Sequence, residues 1–208
     1  SVNKARQYGK TTTLNRLAEK LSGEYIVFLI SFEGIEDTVY ENTSSFCQRI
    51  CRLLYRFLKY NERMTEGISE PFKGELCRMQ SDHAANLEDL SDLISELCDR
   101  SEKPVAIMID EVDQAGNQKI FLSFLGMLRR KFLTRKTEPT FHSVILAGVY
   151  DIKNLKLKVR PMEEHQYNSP WNIAAEFLVD KNFSIQDIAG MLTDYEHDHH
   201  TGMDIMKI

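Results

Sequence analysis

The sequence predicts an α/β fold in which a mainly parallel sheet lies between two layers of helices. Three observations predict it. The continuous apolar run at 25–30 reads as a strand buried on both faces, 105–109 as a second buried strand and 143–149 as a third strand. Helical patterns alternate with these runs, the order that produces parallel pairing and a three-layer arrangement. A glycine-containing turn, Tyr8-Gly9-Lys10-Thr11, leads directly into the first helix.

The elements follow in order. Residues 1–4 are extended at most. A helix from Gly9 to Leu21 places Leu14, Leu17, Ala18 and Leu21 on one face, and Ser22-Gly23 stops it. The strand at 25–30 ends before Gly34. Residues 43–60 form an amphipathic helix with Phe46, Ile50, Leu53, Leu54, Phe57 and Leu58 inward, and Arg49, Arg52, Arg56 and Lys59 as an outward basic stripe. The polar stretch 61–82 contains Gly67, Pro71 and Gly74 and reads as a loop with room for a short helix. Asn86 and Asp89 form a capping arrangement for a helix through Leu87, Leu90, Leu93, Ile94 and Leu97.

Pro104 opens the second strand, and a helix over 118–133 leads to the third. Residues 151–170 read as a long basic loop with Pro161 and Pro170, and 173–179 as a fourth strand. Ser184 caps a last helix through Ile185, Ile188, Ala189 and Leu192. Residues 1–180 are expected to form one core with a truncated first strand, and 181–208 the incomplete start of a C-terminal helical region.

Composition bounds the function. In 208 residues, 42% hydrophobic and 27% charged is enough apolar material for a sizeable core. A net charge of −5 argues against attachment to nucleic acid by bulk charge and leaves only local basic strips as contacts. No run approaches the roughly 18 apolar residues of a membrane span, and the N-terminal stretch lacks the build of a signal peptide. Cys47, Cys51, Cys77 and Cys98 form no CxxC pair, which points to reduced thiols in a reducing compartment, the cytoplasm.

Two motifs carry chemistry. Lys4-Ala5-Arg6-Gln7-Tyr8-Gly9-Lys10-Thr11 matches the phosphate-binding pattern GxxxxGK[ST] except at its first position, where Lys4 replaces glycine. In such a loop, backbone N–H groups from Arg6 through Thr12 cradle phosphate oxygens. Gly9 allows close backbone approach, Lys10 supplies a point charge to the β- and γ-phosphates, and the Thr11 hydroxyl is a Mg²⁺ ligand. The second motif is the strand 105–109 followed by Asp110-Glu111-Val112-Asp113. Asp110 is expected to hold Mg²⁺ through its water shell and Glu111 to polarise the attacking water.

Together the motifs predict an ATP-binding P-loop NTPase fold. The Glu beside the Asp selects the additional-strand ATPase type, in which one more strand lies between the phosphate-loop strand and the acid-bearing strand. The run at 25–30 is available for that place. The NKxD base reader of GTPases is missing. Tyr150 and Asp151, after the third strand, are candidates for sensing the γ-phosphate.

The segment from Arg6 to Leu14 resembles the P-loop of bacterial AAA-like ATPases close to the signal-transduction ATPases with numerous domains. Segments 30–34, 109–113, 144–155 and 168–173 are similar as well, so the resemblance covers nearly the whole chain. It implies ATP binding with Mg²⁺ and slow hydrolysis coupled to a conformational switch, with a protein partner or further domains outside these residues. Relatives continue into a helical region that closes over the nucleotide, so the chain is expected to be a fragment or a chain with disordered ends. The alternatives are a non-hydrolysing nucleotide-binding scaffold and a nucleic-acid-remodelling ATPase using helix 43–60.

Other charged features have plainer readings. Arg129, Arg130, Lys131, Arg135 and Lys136 suit a helix C-terminus, where the dipole favours cations, although one could serve as an arginine finger. His197, His199 and His200 with Asp198 suit a solvated tail better than a metal site, and Trp171 suits a packing anchor.

Overall fold

The computed structural model describes residues 2–3, 9–115, 118–149 and 184–205. The expected loop 151–170, strand 173–179 and Trp171 lie outside the described residues. The chain divides into two units, Ser1–Phe177 and Leu178–Ile208. In the first, four parallel strands, β1 (Val2–Asn3), β2 (Ile26–Ser31), β3 (Val105–Asp110) and β4 (Ser143–Gly148), form a sheet of order β1-β4-β3-β2. The strand lying between β1 and β3 is therefore β4. The run at 25–30 pairs with the far side of β3 and cannot fill that place.

Burial follows the pleat. Ile26, Phe28 and Ile30 of β2 and Val105, Ile107 and Ile109 of β3 enter one large core. Val27 of β2 and Met108 of β3 point the other way, into a smaller core shared with Leu14 and Ala18. All six residues of β3 are buried, including Asp110, which explains its unbroken apolar run.

The smaller core is covered by α1 (Lys10–Leu21) through the predicted face. The larger is covered by α2 (Thr43–Tyr60), α3 (Glu70–Met79), α4 (Leu87–Arg100) and α5 (Lys119–Leu133). At the end of β2, Phe32 meets Phe46 of α2 at 6.4 Å and Phe121 of α5 at 5.4 Å, both edge to face. Such ring pairs contribute about 0.5–1.5 kcal/mol beyond burial and tie α2 and α5 to the carboxyl edge of the sheet.

Helix α2 has the predicted bounds and inward face, with Leu53 and Phe57 only partly buried. Of its basic stripe, Arg52, Arg56 and Lys59 are exposed while Arg49 is half-buried. The region 61–82 holds more structure than expected. It contains a 3-10 turn, Glu62–Met64, and the ten residues of α3. Pro71 is tolerated there because it occupies the first turn, and burial of Phe72, Leu76 and Met79 offsets the weak propensity of Gly74. Asn86 and Asp89 form the expected capping box of α4.

Lys131 departs from the basic-cluster reading. Only 2% exposed, it donates from Nζ to Ser95 Oγ at 2.6 Å and to Ser91 Oγ at 3.2 Å, joining α5 to α4. Its neighbours are consistent with the surface reading: Arg130 is exposed, and Arg135 stacks over Phe132. In the second unit, α6 (Ile185–His199) is opened by a Ser184–Asp187 capping box. No helix among the described residues is long and apolar enough to cross a membrane.

All four cysteines are free. Burial pushes the Cys47, Cys51 and Cys98 thiols up to about 12. Cys77 is exposed. A thiol reagent at neutral pH should therefore modify Cys77 first, and all four only after unfolding, as mass spectrometry of the labelled chain would record.

The same burial sets an alkaline limit. Tyr40 is also pushed up to about 12, chiefly by desolvation and then by Asp37. Folded thiols keep protons that unfolded thiols shed near pH 8.5, so their stabilisation is complete below that pH and is lost as pH rises towards about 12. Burial lowers the Lys131 pKa, so its penalty is relieved as pH approaches the ordinary lysine value, an opposing effect against the three thiols and Tyr40. The urea midpoint should fall between about pH 8.5 and 10.5, and less steeply in Cys51→Ala.

Candidate functional site

Parallel register brings the strand ends level. Ser31 of β2 lies opposite Asp110 of β3, Ile109 opposite Leu146 of β4, and Gly148 opposite Asn3 of β1. This carboxyl edge is where open α/β sheets bind ligands.

The helix start that meets this edge is unusual. Gly9 takes φ 63° and ψ 24°, a left-handed conformation that suits glycine, and it is the N-cap of α1 without a side-chain cap. Thr13 N–H donates to Gly9 O at 2.8 Å and closes the first turn. The first turn carries no acid, and its N–H groups lie at the positive end of the helix dipole. Lys10 is buried, while Thr11 and Thr12 are exposed. Arg6, Gln7 and Tyr8 lie outside the described residues.

Asp110 is 3% exposed, and both its oxygens are engaged. Thr11 Oγ1 donates to Oδ2 at 2.5 Å, and the Glu111 backbone N–H donates to Oδ1 at 2.9 Å. The first bond joins residues far apart in sequence and draws the two predicted motifs together. Phe32 N–H donates to Asp110 O at 3.1 Å, continuing the ladder past the end of β2.

Glu111 is half-exposed and has φ 54°, a left-handed conformation rare for a residue with a side chain. The chain then enters a 3-10 turn, Val112–Ala115, closed by Gln114 N–H to Glu111 O at 3.1 Å. Val112 is fully buried.

A residue that sequence reasoning passed over completes the turn. Asp113 Oδ1 accepts the Val149 N–H at 2.9 Å, beyond the end of β4. A Cβ on Gly148 would lie 2.6 Å from that same oxygen. The one available signal was a third acid, two positions past Glu111, beside a glycine-ended strand. Tyr150 and Asp151 lie outside the described residues.

The donors suit a hard divalent cation. A hydroxyl and a carboxylate in contact are oxygen ligands of the kind Mg²⁺ takes, directly or through water, with phosphates completing the shell. Among the described residues, no three His, Cys, Asp or Glu side chains gather as a metal cage. His197 pairs with Asp198 at 3.2 Å, both well exposed, and His199 stacks on Tyr195.

A parallel sheet whose carboxyl edge links a glycine-led helix start to a buried acid is the architecture of P-loop proteins. Residues 1–206 match the family of the AAA-like domain, and the chain belongs to that family, of nucleotide-binding ATPase type. No curated protein matches the chain.

The Thr11–Asp110 bond predicts a stability effect independent of any ligand. Thr11→Val leaves one oxygen of a buried carboxylate without its donor and should cost about 1–3 kcal/mol, whereas Thr11→Ser should cost less than half of that. Urea unfolding of the two variants checks this.

Proposed function

We propose that this domain binds ATP with Mg²⁺, hydrolyses it slowly and acts as a nucleotide-dependent molecular switch. The observation that carries the reading is the 2.5 Å bond between Thr11 Oγ1 and Asp110 Oδ2, which unites a phosphate-loop helix start with an acidic strand end. The order β1-β4-β3-β2, with β4 between the loop-bearing strand and the acid-bearing strand, supports the additional-strand type. The resemblance of residues 6–14 supports kinship with the signal-transduction ATPases. The free cysteines support a reducing compartment such as the cytoplasm.

The loop pattern and the positions of the described residues support the following roles. The N–H groups of the first turn of α1, with Arg6, Gln7, Tyr8, Gly9 and Thr12, form the phosphate cradle, and Lys10 answers the phosphate charge. Thr11 and Asp110 hold the metal, which when bound neutralises charge on the phosphates. Glu111 is the general base: half-exposed at the end of a buried strand, its carboxylate accepts a proton from the attacking water while the adjacent Asp110 stays fixed by its own donors.

Removing the base while keeping its shape tests this most directly. Glu111→Gln should retain Mg-ATP binding and lose about 100-fold or more in single-turnover hydrolysis. Lys10→Ala should weaken ATP binding at least about tenfold. Hydrolysis at the wild-type rate in Glu111→Gln would reject the assigned base, and binding without turnover in the wild type would favour a non-hydrolysing scaffold. Unchanged turnover on adding DNA or RNA would count against nucleic-acid remodelling.

A further inference from the structure

Asp113 has no role in the chemistry above, yet it is held in a defined place. Its Oδ1 accepts the Val149 N–H at 2.9 Å, a bond strengthened by the carboxylate charge. The carboxylate also rests against the backbone of Gly148, where any larger residue would place Cβ 2.6 Å from Oδ1 and 3.1 Å from Val112 Cγ2. The glycine at the end of β4 thus has a steric reason that its own backbone conformation does not supply. Two residues earlier, Glu111 occupies the left-handed region at φ 54°. A residue with a side chain stays there only when its surroundings hold it. The restraints on one side are the Glu111 N–H bond to Asp110 and the buried Val112. On the other side they are the Gln114 N–H bond to Glu111 O and the Asp113 bond to β4.

We propose that Asp113 is the positioning residue for Glu111. By clamping the acidic turn to the end of β4 over Gly148, it fixes the backbone from which the general base projects. It also makes the aim of that base depend on the position of the β4 terminus, from which the chain runs on to Tyr150. The proposal rests on the ATPase reading and extends it to a residue to which that reading gives no part in binding nucleotide or metal.

The test compares kcat from single-turnover Mg-ATP hydrolysis with the dissociation constant for a fluorescent ATP analogue, in the full chain. A base displaced by about an ångström loses roughly ten- to a hundredfold in rate. Asp113→Ala should therefore lower kcat by at least about tenfold while leaving the dissociation constant within about threefold. Asp113→Asn, which keeps an acceptor oxygen, should recover most of the loss. Gly148→Ala, which drives the carboxylate away from the opposite strand, should reproduce it. The double variant Asp113→Ala with Gly148→Ala should be no worse than either single one, because both break the same contact.

If Asp113→Ala does not fold, Asp113→Glu, with its acceptor displaced by one methylene, is judged by the same ratio. Wild-type kcat in a folded Asp113→Ala, no recovery in Asp113→Asn, or affinity falling in step with kcat would each overturn the proposal while leaving the ATPase reading intact. A wild-type chain that turns over no ATP would overturn the ATPase reading and the proposal together.

Discussion

A carboxylate at the end of a wholly buried strand has to be answered by donors, and that requirement organises this domain. Asp110 is nearly sealed from water, and a buried ionised carboxylate without partners would cost several kcal/mol. Two donors meet it: the next peptide N–H in the chain and the hydroxyl of Thr11. The local bond bends the chain out of the strand at Glu111. The distant one requires α1 to begin beside β3, although the strand that precedes α1 sits two places away across β4. The helix start and the acid-bearing strand are thus fastened directly to each other.

The sheet makes that fastening possible by dividing its two faces unequally. Four helices bury the large core on one side, with Phe32, Phe46, Phe121 and Phe124 packed near the carboxyl edge. On the other side, among the described residues, the small core of Leu14, Ala18, Val27, Met108 and Ala147 seats α1. An ångström-scale shift of α1 would be resisted by the close packing of Leu14 and Ala18. The site's geometry therefore depends on ordinary apolar contacts about one to two helical turns away as well as on its polar bonds.

Much of this was legible in the residues. Periodicity located α2 to its ends, because one helix face is apolar and the other basic over its whole length. The strands were legible because burial on both faces leaves unbroken apolar runs, and the caps at Asn86 and Ser184 because their chemistry is local. What pattern could not reveal was non-local. Which strand lies between β1 and β3 is decided by crossovers, and the run at 25–30 offers the same apolar signal as β4. Lys131 reads as one more cation near a helix end, but two serines of α4 draw it inside. The helix at Glu70–Met79 is obscured by Pro71 and Gly74, residues that weigh against a helix only where tertiary burial does not decide.

The three acids of Asp110-Glu111-Val112-Asp113 show how backbone conformation separates like residues. In the sequence they are a run of negative charge whose members would repel. In the fold, Asp110 still belongs to the strand and turns towards α1, where donors neutralise its isolation. The positive φ at Glu111 ends the strand's pleat, and the second acid remains half-exposed. The 3-10 turn then carries Asp113 back to the end of β4, where a peptide N–H answers it and the missing side chain of Gly148 makes room. Two of the carboxylates are thus engaged by fixed donors within the protein. A side chain tied down in this way is suited to holding geometry, while one left half-open at the same edge is suited to exchanging a proton. One left-handed residue lets a run of acids divide between those two kinds of work.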